Sequence, residues 1–206
     1  MNLNHCYYYF KGVIPLETCN KIIKKYSKTK LKEGTTKGQK KNIRDSKVIF
    51  TSEPDLYDLI HPYIYTANQK AGWNFDWDFT EACQFTKYGL NQHYNWHQDG
   101  TPDPYPMDYA NLNYRGKYRK LSTTISLSDG SKYTGGDFQI DLRDKNIDFT
   151  KKTKDQYDVS RIITLKELRE PGTVIVMPSF NWHRVTPVLK GTRYSLVCWS
   201  LGYPWR

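Results

Sequence analysis

A change of period at Trp73 limits the fold more than any other feature of this chain. Upstream, apolar residues recur at helical spacing; downstream, they fall in short runs or alternate with polar residues, interrupted by Gly and Pro. Leu16, Cys19, Ile22, Ile23 and Tyr26 predict a helix over residues 15–27, with Pro15 at a first-turn position where its missing N–H is no loss. Leu56, Leu59, Ile60, Tyr63, Ile64 and Ala67 form the apolar stripe of a second helix over residues 54–70. Trp73, Phe75, Trp77 and Phe79 then alternate with polar residues as a half-buried strand does. Further strands are expected over residues 83–88, 94–98, 120–128, 136–142, 173–177, 183–188 and 192–200, punctuated at Asp129-Gly130, Gly135-Gly136, Pro171-Gly172, Pro178 and Gly191. Many short strands after two helices predict a mainly β chain with supporting helices. The expected core is a double-stranded β-helix (jelly roll) with the N-terminal helices packed on one sheet. A chain of 206 residues suits a single domain, 1–206, divided into a helical support region over 1–72 and a jelly-roll core over 73–206.

Charge is localised. The formal excess is +10, and between residues 21 and 44 stand ten Lys or Arg against one acid, Glu33. The basic character therefore belongs to one segment and not to a groove through the domain, so nucleic acid is not the expected partner. A solvated helix face followed by a flexible, Lys- and Gly-rich loop over residues 29–42 accounts for it; a patch for an acidic partner is the other reading. No apolar run is long enough to span a membrane, and residues 1–10 lack the regions of a secretion signal, so a cytoplasmic protein is expected. Cys6, Cys19, Cys83 and Cys198 show no C-x-x-C spacing, which points to reduced thiols and away from zinc or disulfides.

Three side chains have the makings of a metal site. His97 and Asp99 lie two residues apart, on one side of an extended backbone. Chance alone yields roughly half a His-x-acid pair in such a composition, so the motif needs company. His183, at the start of a strand after the apolar run Val174–Met177, is the candidate third ligand; alone it reads equally as a strand-end histidine. Two His and one carboxylate leave iron positions open for substrate and O2. Arg193 adds weight. It shares a strand face with Ser195, Val197 and Trp199, and no acid is near it in sequence, so a buried guanidinium there would call for an anionic ligand or a distant Asp or Glu.

The stretch from His183 to Tyr194, His-Arg-Val-Thr-Pro-Val-Leu-Lys-Gly-Thr-Arg-Tyr, resembles the distal motif of prolyl-4-hydroxylase-like 2-oxoglutarate oxygenases, and most of all the PKHD-type hydroxylases of bacteria and phages. Tyr88, Gln92, Tyr94, His97 and Asp99 match the upstream pattern of that family in order, Gly135-Gly136-Asp137 its turn between barrel strands, and residues 13–19 its strand-to-helix entry. The resemblance implies that His97, Asp99 and His183 bind Fe(II). Arg193 would hold the distal carboxylate of the co-substrate 2-oxoglutarate, and Tyr88 would donate a hydrogen bond to it. It also implies hydroxylation of a C–H bond with O2, release of succinate and CO2, and ascorbate as a reductant. A peptide or protein, with a prolyl residue first among targets, would be the substrate, and a small molecule the alternative. Asn91 stands where Gly is common, and Arg193 where many animal and plant prolyl hydroxylases have Lys; the latter is the PKHD pattern. Trp199 occupies the place of a second arginine in the nucleic-acid demethylases of the superfamily, which argues against that class. A Lys-, Asn- and Tyr-rich chain of this size resembles phage versions, with the host cytoplasm as its place of action.

Two other classes stay open on the residues: a jelly roll that binds metal without turnover, and a basic nucleic-acid-binding protein using residues 21–44. His93 reads as a surface or supporting residue, and Trp182 and Trp199 as core. The stretch 101–118, with four Tyr and three Pro, is too aromatic for a plain linker and is expected to cover the iron and meet the substrate.

Overall fold

The computed structural model describes residues 5–34, 42–142 and 161–204. The first third holds β1 (Tyr8–Phe10), α1 (Leu16–Ser27), β2 (Lys32–Glu33), β3 (Arg44–Asp45), β4 (Lys47–Thr51) and α2 (Pro54–Lys70). Strands follow: β5 (Phe79–Thr80), β6 (Cys83–Tyr88), β7 (His93–His97), β8 (Tyr118–Ser126), β9 (Tyr133–Gly135) and β10 (Phe138–Asp141). The last are β11 (Ile162–Thr164), β12 (Val174–Pro178), β13 (Trp182–Val185), β14 (Val188–Gly191) and β15 (Arg193–Gly202).

Two antiparallel sheets make the body. The larger runs β1-β12-β8-β15-β6-β4-β2, with β5 also pairing β15; the smaller runs β11-β10-β13-β7-β3, and β14 pairs β9 separately. This is the expected mainly β jelly-roll architecture. Both helices turn their apolar stripe to the larger sheet. Cys19, Ile22 and Tyr26 of α1 and Leu56, Ile60, Ile64 and Ala67 of α2 are buried, three or four residues apart, in one core with Phe85, Ile125, Val174 and Leu196. A second apolar cluster, including Tyr88, Phe138, Ile140, Met177 and Val185, fills the space between the sheets. All four cysteines are free. No helix among the described residues is long and apolar enough to cross a membrane.

Three details depart from the sequence reading. Residues 73–78 form no strand, although Trp73 and Phe75 are buried as their alternation requires. Their backbone makes no ladder: Trp73 N and Asn74 N donate to Asn68 O, Phe75 N donates to Asn68 Oδ1 (3.0 Å) and Asn68 Nδ2 to Phe75 O (2.9 Å), and Asp78 N alone of these reaches a strand, at Leu201 O of β15 (3.0 Å). The strand expected from Gly136 begins only at Phe138, because Gly135 and Gly136 both take positive φ, 67° and 62°; a Cβ on Gly135 would stand 2.2 Å from Pro187 O. The loop expected over 29–42 contains the short β2, which pairs β4, and its residues 35–41 lie outside the described residues.

Candidate metal and co-substrate site

His97 ends β7 and pairs in register with His183 of β13, so two histidines on different strands face each other with ring centroids 4.1 Å apart. Asp99 follows on the same side. Its N–H and that of Gly100 both donate to Ser179 O, at 3.0 and 2.8 Å, which fixes the turn just past the strand. Asp99 Oδ1 lies 3.7 Å from His97 Nε2, and Oδ2 lies 3.5 Å from His183 Nε2. One ligand atom from each of the three residues falls within 4.8 Å of the other two.

The protonation of this triad suits a cation. His97 Nδ1 donates to Asn95 O (2.7 Å) and His183 Nδ1 to Asn181 O (2.9 Å), which turns both Nε2 atoms toward Asp99. Burial, with His183 adjacent, holds the His97 imidazole down to about 3, so it is neutral over the whole ordinary pH range. Burial pushes the Asp99 carboxyl up, but His183, His97 and Arg119 outweigh it and bring it down to about 2. Two imidazoles and one carboxylate form the donor set that an iron(II) ion takes, with coordination positions left over.

Arg193 lies at the start of β15 in register with Tyr88 of β6 and is only 2% exposed. Its Nη1 donates to Ser195 Oγ (3.3 Å), and its Nη2 is buried with no acceptor among the described residues. A desolvated cation without a counter-charge is costly, so the pocket is short of one anion. Tyr88, Gln84, Thr124 and Val197 line the same pocket as His97, Asp99, His183 and Arg193. The Arg193 guanidinium is 5.5 Å from the Tyr88 ring centroid. Burial pushes the Tyr88 phenol up, keeping its O–H available as a donor.

Tyr94 stood in the sequence pattern, but its contacts, and the parts played by Arg44, Glu81 and Arg119, were hidden in the sequence. Tyr94 lies flat on His97, centroids 3.4 Å apart and planes 9° apart, and Arg44 covers Tyr94 at 4.6 Å. Arg119 grips Glu81 with two bonds, 2.6 and 2.7 Å, stacks on Trp199 at 4.1 Å and reaches Asp99 O with Nη1 at 3.4 Å. Trp199 is therefore a wall of the pocket and not plain core as expected, since its strand face is the Arg193 face. His93 is half-buried, its ring bonded to Asn91 O and Asn42 O and away from the triad. Asn91 adopts φ 61°, the left-handed conformation a Gly would take, so the turn before β7 survives the exchange.

The segment 101–118 does not cover the triad as expected; none of its residues lines the pocket. Its neck is closed by Tyr105 N to Lys117 O and Gly116 N to Tyr105 O, both 2.9 Å. Tyr105, Tyr109 and Tyr114 cluster ring on ring, Tyr105 Oη donates to Glu81 Oε1 (3.0 Å), and Tyr114 packs on Phe79. These contacts draw the segment to the flank of the site, toward Phe79 and α2.

Comparison with known proteins agrees with this geometry. Among curated relatives, a PKHD-type hydroxylase of Synechococcus sp. (strain CC9605) is 33% identical over 119 residues, 57% of this chain and 40% of that protein. One from Pseudoalteromonas atlantica is 28% identical over 116 residues, 56% of this chain and 41% of its own. The chain thus spans about two fifths of the length of these relatives. Among solved structures, a Pseudomonas putida prolyl-4-hydroxylase superposes with a TM-score of 0.67 at 16% identity, over 96% of this chain and 93% of that one. A viral collagen prolyl hydroxylase from Paramecium Bursaria Chlorella virus-1 gives 0.64 at 16% identity, over 97% of both. The family model for the 2OG-Fe(II) oxygenase superfamily matches residues 83–201, which contain the His-Asp-His triad and Arg193. With more than half of its length matched, the chain belongs to the 2OG-Fe(II) oxygenase superfamily.

Proposed function

We propose that this chain is an Fe(II)- and 2-oxoglutarate-dependent dioxygenase that hydroxylates a C–H bond in a peptide or protein, with a prolyl residue the first candidate. The observation that carries the reading is the meeting, in one pocket, of a two-His, one-carboxylate donor set and a buried guanidinium lacking its anion. His97, Asp99 and His183 would hold the metal, and Arg193 and Tyr88 the far carboxylate of 2-oxoglutarate. Bound iron(II) and 2-oxoglutarate supply O2 activation for hydroxylation, with succinate and CO2 as products. The chain's own part is placement. Asn95 O and Asn181 O fix the imidazole tautomers, Ser179 O fixes the Asp99 turn, and Arg193 neutralises one end of a dicarboxylate while apolar walls such as Phe138 and Val197 keep water out. A passive metal-binding module would have no use for the unpaired Arg193.

The peptide class rests on likeness to hydroxylases whose names state it, including a Trichoplax adhaerens prolyl hydroxylase solved with a peptide fragment of hypoxia inducible factor. Purified protein given iron(II), 2-oxoglutarate and O2 should release succinate above an Asp99→Ala control. Proline-containing peptides should increase the release and gain one oxygen atom by mass spectrometry. Succinate release no greater than that of the control would overturn the reading.

A further inference from the structure

Among the described residues, two arginines have a buried Nη2 without an acceptor: Arg193 and Arg44. Others are matched. Arg119 is held by Glu81, and Arg169 by Asp137 (2.9 Å) and the carbonyl oxygens of Gly130, Tyr133 and Gly135. Arg193 has its anion assigned in the reading above. Arg44 has none, yet it is only 8% exposed.

Its setting indicates what is missing. Arg44 Nε donates to Ser46 Oγ (2.9 Å), and the guanidinium lies on the Tyr94 ring. One edge is thereby committed, leaving the Nη edge, whose N–H groups suit the two oxygens of a carboxylate. The neighbouring acid Asp45 is occupied by Gln92 Nε2 (2.7 Å). Beside Arg44 runs a groove of about 560 Å³, within the size range of ligand sites, floored by Val48 and Phe50 and flanked by Lys30 and Lys32. Its one acid, Glu33, is exposed, so the lining is net positive. Gln84 belongs to the wall of this groove and to that of the metal pocket, so the two adjoin.

We infer that Arg44, with Lys30 and Lys32, forms a second anion site that receives a carboxylate carried by the substrate itself. The inference rests on the hydroxylase reading for its substrate. Between the metal ligand His97 and Arg44 the stack has two steps, 3.4 and 4.6 Å. An extended peptide rises about 3.3 Å per residue, which puts the acidic side chain roughly two to three residues from the oxidised one. The preferred substrate is an acidic peptide, Glu or Asp flanking the target, and Lys30, Lys32 and Arg44 are part of its recognition surface.

Two measurements separate this site from the reading it rests on. Blocked peptides with a central Pro and a single Glu scanned through the flanking positions are compared, by hydroxylation, with the same peptides carrying Gln. The Glu form should be preferred by about tenfold or more at one position, about the second or third residue from the target. Arg44→Gln should abolish that ratio. The exposed double change Lys30→Gln/Lys32→Gln, which leaves the stack alone, should reduce it roughly two- to threefold. Separately, blocked glutamate is titrated into 15N-labelled protein; it should shift the Arg44 Nε–H signal saturably, while blocked glutamine should not. Hydroxylation indifferent to Glu, with no shift, overturns the anion site and leaves the hydroxylase reading standing. A saturable shift with no peptide hydroxylated does the reverse.

Discussion

His97 and His183 each donate Nδ1–H to the carbonyl two residues upstream, Asn95 and Asn181, so each imidazole is locked by its own strand before any metal arrives. This gives a pH signature. The His97 pKa falls from its ordinary 6.5 to about 3, so between those values the unfolded chain binds a proton that the folded one refuses. The stability contributed by the neutral ring is whole above about pH 6.5 and is lost as pH falls toward 3. In metal-free protein, imidazole NMR should show His97 neutral, with Nε2 unprotonated, at about pH 5; a protonation midpoint near 6 would contradict the packing. Arg193 should behave in opposite ways in two assays. Arg193→Met should raise the 2-oxoglutarate requirement well over tenfold, because one partner of a desolvated charge pair is worth roughly 2–5 kcal/mol. The same variant without co-substrate should melt no lower than the parent, because the charge removed has no partner there. A large fall in Tm would mean that Arg193 has a structural role.

At the scale of elements, the join between α2 and the strands depends on one amide. Asn68→Ala removes both bonds that hold Phe75 and should cost about 1–3 kcal/mol, read as a Tm lower by several degrees. Breaking Glu81–Arg119, which ties the residue after β5 to β8, should cost more. Glu81→Ala leaves a largely buried cation beside Trp199 and should cost about 3 kcal/mol, or roughly 6–12 °C in Tm. These two contacts mark the limit of what the sequence reveals. The helices and most strands were legible because burial on one face leaves a period in the chain. Residues 73–78 carry the strand period without forming a ladder, although Asp78 N reaches Leu201 O of β15, and alternation cannot say what pairs with the backbone. His97, Asp99, His183 and Arg193 were legible because chemistry restricts the residue types at such a site. Glu81, Arg119 and Arg44 were not, because their roles depend on which strands become neighbours, a matter of register that leaves no mark in local sequence.

At the scale of the whole molecule, the segment 101–118 stands at the flank of the pocket, held by its tyrosine cluster and by Glu81. Replacing residues 106–113 with a short Gly-Ser linker should leave metal and 2-oxoglutarate affinity unchanged, since none of them lines the pocket, while lowering hydroxylation of peptide. Calorimetric titration of both ligands alongside product mass spectrometry would check this; weakened 2-oxoglutarate binding would place the segment nearer the co-substrate. The deepest connection in the molecule runs through Ser179. It follows β12, donates its N–H to Lys120 O on β8, and accepts the N–H groups of both Asp99 and Gly100. One carbonyl just past β12 of the larger sheet therefore sets the position of the Asp99 carboxylate just past β7 of the smaller one. In hydrogen–deuterium exchange, the Asp99 and Gly100 amides should lose protection together, as a single opening event, and only when the end of β12 pulls away. Their shared exchange rate becomes a clock for how often the two sheets part beside His97, Asp99 and His183.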